Sequence, residues 1–185
     1  TQEYEYPSRS ACLNCHTQAA GVPLGVRTAQ LNRDQTYTDS SGSVTDNQLR
    51  AYNNVQLFNR DIGAATQYLA QVNPTDTSAS LSARARSYLD VNCSQCHQPG
   101  GPTGSDMDLR MATAIGNTRT VGVAPNGGDL GIAGAQRIRA GNKAQSLVWE
   151  RMRRLDSNRM PPIASHVVDD EGVALIGAWI DAGAN

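Results

Sequence analysis

Four cysteines in a chain of 185 residues fall into two pentapeptides, Cys12-Leu-Asn-Cys15-His16 and Cys93-Ser-Gln-Cys96-His97. They use every cysteine and two of the three histidines. Three chemistries for paired cysteines fit poorly. A four-cysteine zinc site sets its pairs about 15–20 residues apart, and these pairs lie about 80 apart. A thioredoxin-like redox pair belongs in a βαβ context, and no strand pattern precedes either motif. Structural disulfides leave the two adjoining histidines unexplained. The pattern C-x-x-C-H is that of covalent haem c attachment, in which two thiols add to the two vinyl groups of one haem and the next residue, His, reaches the iron from the same face. The sequence thus predicts two haem c groups with their iron, one on Cys12, Cys15 and His16 and one on Cys93, Cys96 and His97.

Composition agrees with a buried apolar cofactor. Hydrophobic residues are 39% and aromatics 5%, with Phe58 the single phenylalanine, a thin supply for a self-sufficient core of this size. The net charge of −1 gives no sign of nucleic acid or a membrane surface as partner. No run approaches the roughly 18 apolar residues that cross a bilayer. Thr1 is not followed by a charged-then-apolar leader, which is the expectation for a mature exported chain. Haem c is attached outside the cytoplasm, so the expected location is periplasmic or extracellular. Between residues 137 and 159, seven basic side chains face two acids. Arg137, Arg139, Arg151, Arg153, Arg154 and Arg159 either form a solvated face, or neutralise haem propionates or dock an acidic partner.

Spacing predicts helices and loops only, hence an all-α, loop-rich chain. Residues 32–44 are rich in Asn, Asp, Ser, Thr and Gly and read as loop. Thr45 with Gln48 has the form of a capping box, starting a helix with Leu49 and Tyr52 on one face, and Ile62, Ala65, Leu69 and Val72 continue at helical spacing. Leu81, Ala85, Tyr88 and Leu89 mark an amphipathic helix running into Cys93. Residues 98–135 read as a long loop with one helical turn near Leu109–Ile115. Val148, Met152 and Leu155 mark another helix, and Val173, Ile176 and Ile180 a last one from Asp169 to about Asp181. Pro74 to Ser80 reads as a linker, giving an N-terminal haem-binding segment, 1–76, and a C-terminal domain, 77–185.

In order of elements, residues 81–185 resemble a class I cytochrome c: a helix into C-x-x-C-H, a loop-rich middle, a helix, Arg159-Met160-Pro161-Pro162, and a C-terminal helix. The resemblance implies His97 as proximal and Met160 as distal iron ligand, and a helix crossing through Ala85 and Trp179. A thioether suits ferrous iron and raises its potential. The whole chain also resembles an uncharacterised family of bacterial secreted dihaem cytochrome modules, through Ser10–His16, Arg84–Gly101 and Arg159–Pro162. The first half departs from the class I pattern. No long helix precedes Cys12, and no Met lies between His16 and Met107. His166 is therefore the first candidate for the distal ligand of that haem, followed by Met107, Met111 and Met152, or by an open or externally filled position. The expected function is electron transfer with redox partner proteins or other cytochrome subunits, with a homopolymeric extracellular filament as one form of it. A dihaem peroxidase-type enzyme with one open haem is the alternative.

Overall fold

Helix 81–93 begins where Ser80 can cap it. In the computed structural model, which describes residues 6–185, the Ser80 hydroxyl accepts from the Ala83 amide at 3.2 Å, satisfying a donor that the helix itself cannot. The elements in chain order are α1 (Arg9–Cys12), α2 (Thr28–Leu31), β1 (Asp34–Asp39), β2 (Gly42–Asn47), α3 (Gln48–Asn54), α4 (Leu81–Cys93), α5 (Leu147–Met152) and α6 (Asp170–Asp181), with short 3₁₀ turns at Ala65–Gln67, Ile115–Asn117 and Lys143–Gln145.

The chain forms two compact units. One comprises the residues up to Leu24 together with Asn73–Asn185, and the other is Gly25–Val72. A 1–76/77–185 division differs from this in where the first motif falls. Both C-x-x-C-H motifs lie in the larger unit.

The larger unit is organised by α4 against α6. Ala85 and Leu89 are buried with Leu175, Ile176, Trp179 and Ile180, and Leu109, Ile138 and Ala184 close the cluster. Ala85 and Trp179 both belong to this core. Gly172 lies beneath the Tyr88 ring, where a Cβ would collide with the phenol. Tyr88 then donates to Asp169 at 2.8 Å, the same carboxylate that caps α6 by accepting from the Gly172 amide. Asp170 and Glu171 in the first turn of α6 suit the positive end of its dipole. Gly177 does the same for α5: the Trp149 indole lies over it and donates to the Val173 carbonyl at 3.0 Å.

The polar face of α4 holds the irregular segment that follows it. A guanidinium nitrogen of Arg86 donates to the carbonyls of Arg110 (2.8 Å), Met111 (3.3 Å) and Thr113 (2.5 Å). Asp90 accepts from the Met111 amide at 3.1 Å. Backbone groups that no helix or sheet satisfies thereby find partners.

The smaller unit overturns the all-α, class I cytochrome c-like expectation. Residues 34–47, read as loop and helix cap, form an antiparallel hairpin pairing Asp34 with Asn47 through Asp39 with Gly42. The chain is thus a mixed one, helices plus a two-stranded sheet. Every residue of β1 is exposed, so there is no apolar alternation to read. The ladder is reinforced by hydroxyl pairs, Thr36 with Thr45 at 2.9 Å and Thr38 with Ser43 at 2.8 Å. Thr45 is therefore a strand residue, and the cap of α3 is Asn47, which accepts from the Leu49 and Arg50 amides. The expected continuation through Ile62, Ala65, Leu69 and Val72 is a single 3₁₀ turn. Asn32 pins it: its amide nitrogen donates to the carbonyls of Ala65, Tyr68 and Leu69, while its oxygen accepts from Asn47.

Candidate cofactor site

Both pentapeptides fold into the same turn. In the first, the amides of Cys15 and His16 both donate to the Cys12 carbonyl, at 3.1 and 3.0 Å. In the second, the amides of Cys96 and His97 donate to the Cys93 carbonyl, at 3.2 and 2.9 Å. Residues i, i+3 and i+4 of a helical turn share a face, so each turn gathers two thiols and an imidazole. α1 and α4 supply the preceding helical residues, each motif starting at the last residue of its helix.

The two turns meet. The sulfurs of Cys15 and Cys96 are 3.6 Å apart, and the Cys96 thiol is 3.7 Å from the Asn14 carbonyl. This is no disulfide, which needs about 2.05 Å, and all four cysteines are free. Burial, then the neighbouring Cys96, pushes the Cys93 thiol up to about 12. Burial, then its hydrogen bond to Cys15, does the same for Cys96. Thiols so raised are poor thiolates for redox exchange or metal binding. Among the described residues no group of three His, Cys, Asp or Glu side chains is placed to hold a metal ion.

The second turn opens into a cavity of about 610 Å³, within the range of cofactor sites. Cys93, Cys96 and His97 line it, as do Leu109, Leu147, Val148 and Val173. Met107, Met152 and Met160 also line it. The Met160 loop is pinned to α5: the Met160 amide donates to the Arg151 carbonyl at 3.0 Å, and the Arg151 guanidinium donates to the Asn158 carbonyl at 3.2 Å.

Of the six arginines singled out in the sequence, Arg137, Arg151 and Arg154 line this cavity. Arg137 is buried and paired with Asp106 at 2.6 Å, and its other terminal nitrogen donates to the Arg119 carbonyl. Arg153 instead stacks over Trp149, 4.6 Å from the ring centre, and Arg139 donates to the Gly134 carbonyl. Hydrogen bonds from Arg119 and Arg137 bring the Asp106 carboxyl down to about 2. Three buried nitrogens at this site have no partner within the protein: Nδ1 of His97 and Nε of Arg137 and Arg154. Burial, then Arg137, lowers the pKa of His97, which favours the neutral, ligand-competent ring.

The first motif is open. Cys12 and His16 are exposed, as are Leu13 and Val22. Nδ1 of His16 lies 2.8 Å from the Val22 carbonyl. Val22 sits at φ 67°, in the left-handed region, where a β-branched residue is a genuine outlier. Nothing in the sequence signals this contact, because the partner is a backbone carbonyl. His166 is exposed and is not among the cavity-lining residues, although Ser165 and Val167 on either side of it are. Met111 is not among them either, and its sulfur takes a 3.7 Å contact from the Ser87 hydroxyl.

No family model, no curated protein and no solved structure matches the chain. Among the described residues no helix is long and apolar enough to cross a membrane.

Proposed function

We propose that the chain is a dihaem c-type cytochrome that transfers electrons outside the cytoplasm, and not an enzyme. The observation that carries the reading is the pair of identical C-x-x-C-H turns, one opening into an apolar cavity of cofactor size. The residues present fit the group. Cys12 with Cys15, and Cys93 with Cys96, would hold the two haems, and His16 and His97 would be the iron ligands next to them. Apolar walls suit a porphyrin face, and the unpartnered nitrogens of Arg137 and Arg154 suit carboxylates brought in with it. When bound, haem c supplies a one-electron iron couple.

The chain's own residues orient and shield. The contact with the Val22 carbonyl makes Nδ1 of His16 the protonated nitrogen and leaves Nε2 with the free lone pair. Met160, on a loop held by Arg151, would serve as a second iron ligand for the haem held by Cys93 and Cys96, where a thioether would favour the ferrous state. His166 is the candidate for the first. The exposed surface around His16, with Leu13 and Val22, is where a redox partner protein or another cytochrome subunit would exchange electrons. The compartment follows from covalent haem attachment: periplasm or beyond.

Denatured mass and a haem stain test the reading, with two haems per chain and no free thiol expected. The oxidised protein should show the weak far-red sulfur-to-iron charge-transfer band. Met160→Ala should abolish it, and Met107→Ala and Met152→Ala should not. A chain without haem overturns the reading, and a band that survives Met160→Ala transfers the ligation to another methionine.

A further inference from the structure

Asn126-Gly127 is the one Asn-Gly pair in the chain, and no Asp-Gly pair occurs. Both residues are exposed, in an irregular segment that lines the cavity. The Asn126 side-chain nitrogen donates to the Gly104 carbonyl at 2.7 Å. That bond ties segment 125–128 to segment 102–105, which lines the same cavity. The Gly127 carbonyl accepts from the Arg151 guanidinium at 3.3 Å, whereas the Gly127 amide has no acceptor among the described residues. We propose that Asn126 is a site of spontaneous deamidation, and that the reaction places a negative charge on the cavity wall and parts these two segments. The inference is independent of what the cavity holds.

The chemistry needs only water. The Gly127 nitrogen, its proton given up to solvent, attacks Cγ of Asn126. The bond from Cγ to Nδ2 breaks and ammonia leaves, which closes a five-membered succinimide. Water then adds to one of the two ring carbonyls and opens the ring to an aspartyl or an isoaspartyl linkage. One water is consumed and one ammonia released, with no change of oxidation state. Three features favour the reaction here. Glycine has no Cβ to crowd the attack, and its backbone reaches the conformations that ring closure requires. The attacking nitrogen is not engaged in a hydrogen bond, and exposure admits water. The Arg151 guanidinium on the Gly127 carbonyl stabilises the amide anion through space. Each other asparagine before Asn185 is followed by a residue with a side chain, and Asn73 by a proline, which has no amide proton.

The product reverses the contact at Gly104. Where an NH₂ group donated, a carboxylate presents only acceptor oxygens to a carbonyl, so the bond is lost and the two groups repel. The isoaspartyl form also lengthens the main chain by one methylene. Segment 102–105 thereby loses a tie, and a cavity wall that carries Arg137, Arg151 and Arg154 gains a charge of opposite sign.

The test holds the folded full chain in mildly alkaline buffer and samples it over weeks by peptide mapping and isoaspartyl methyltransferase labelling. The mass change of amide to acid should be concentrated in the peptide that contains Asn126, with isoaspartate the larger product. Gly127→Ala is the blocking variant. A Cβ at Gly127 would meet nothing within 4 Å, and the residue is outside the left-handed region, so the fold tolerates it while conversion should slow severalfold. Asn126→Asp reports the consequence: amide exchange across 102–105 should be faster than in the parent. No conversion at Asn126 in the folded chain, or equal rates in the parent and Gly127→Ala, overturns the proposed site. Unchanged exchange across 102–105 in Asn126→Asp overturns the parting of the segments.

Discussion

Gly101 closes the turn behind the second attachment motif so tightly that a single methyl group cannot be added. A Cβ built there would collide with the backbone carbonyl of Cys96 and press on that of Gln98. These are backbone atoms inside a hydrogen-bonded turn, with the Gly101 amide donating to the Gln98 carbonyl at 2.9 Å. No side-chain rotation can relieve the contact, so the turn must open. Overpacking costs about 1–3 kcal/mol, and the lost hydrogen bond adds about 1 kcal/mol. Against this, replacing glycine by alanine stiffens the unfolded chain, worth about 0.4–1 kcal/mol in the opposite direction. The net for Gly101→Ala is a loss of about 1–3.5 kcal/mol, or roughly 2–14 °C in the melting temperature for a chain of this length. Gly104, three residues on, is the control, because its Cβ would meet nothing within 4 Å. Gly104→Ala should melt with or slightly above the parent. Thermal unfolding followed by far-ultraviolet dichroism compares the two. If Gly101→Ala melts within about 1 °C of Gly104→Ala, the close approach is not a constraint and the reasoning fails.

Two further outcomes follow from polar groups. Asn32→Ala strips the donor from the carbonyls of Ala65, Tyr68 and Leu69, a loss of about 1–3 kcal/mol. Amide exchange should quicken within Gly25–Val72, and unchanged exchange there would contradict the role given to Asn32. Asp106 and Asp108 are both brought down to about 2, Asp106 by Arg119 and Arg137, and Asp108 chiefly by Arg110. Their folded pKa values lie below the unfolded value of about 3.9, so the stability they contribute is present above about pH 4 and is lost as the pH falls towards 2. Urea midpoints should drop across that window and less so in Asp106→Asn; a midpoint flat from pH 4 to pH 2 would count against these pairings.

The features legible in the residues alone are local ones. The C-x-x-C-H turns close through bonds from residues i+3 and i+4 to the first cysteine, so their shape is written in five consecutive residues. Likewise α4 and α6 lie where apolar spacing and the caps Ser80 and Asp169 place them, because a helix needs only its own face and its own ends. The hairpin at Asp34–Asn47 has one apolar cross-strand pair, Tyr37 with Val44, and is otherwise held by backbone bonds and hydroxyl pairs, so too little alternation exists in its sequence to be read. Which arginines reach the cavity, that Gly172 sits beneath the Tyr88 ring, and that Cys15 comes to rest against Cys96 are settled by packing between distant segments. Contacts of that kind depend on how α4 packs on α6 and how the segments after each motif fold back, and long-range packing leaves no periodic trace in the residues that make it.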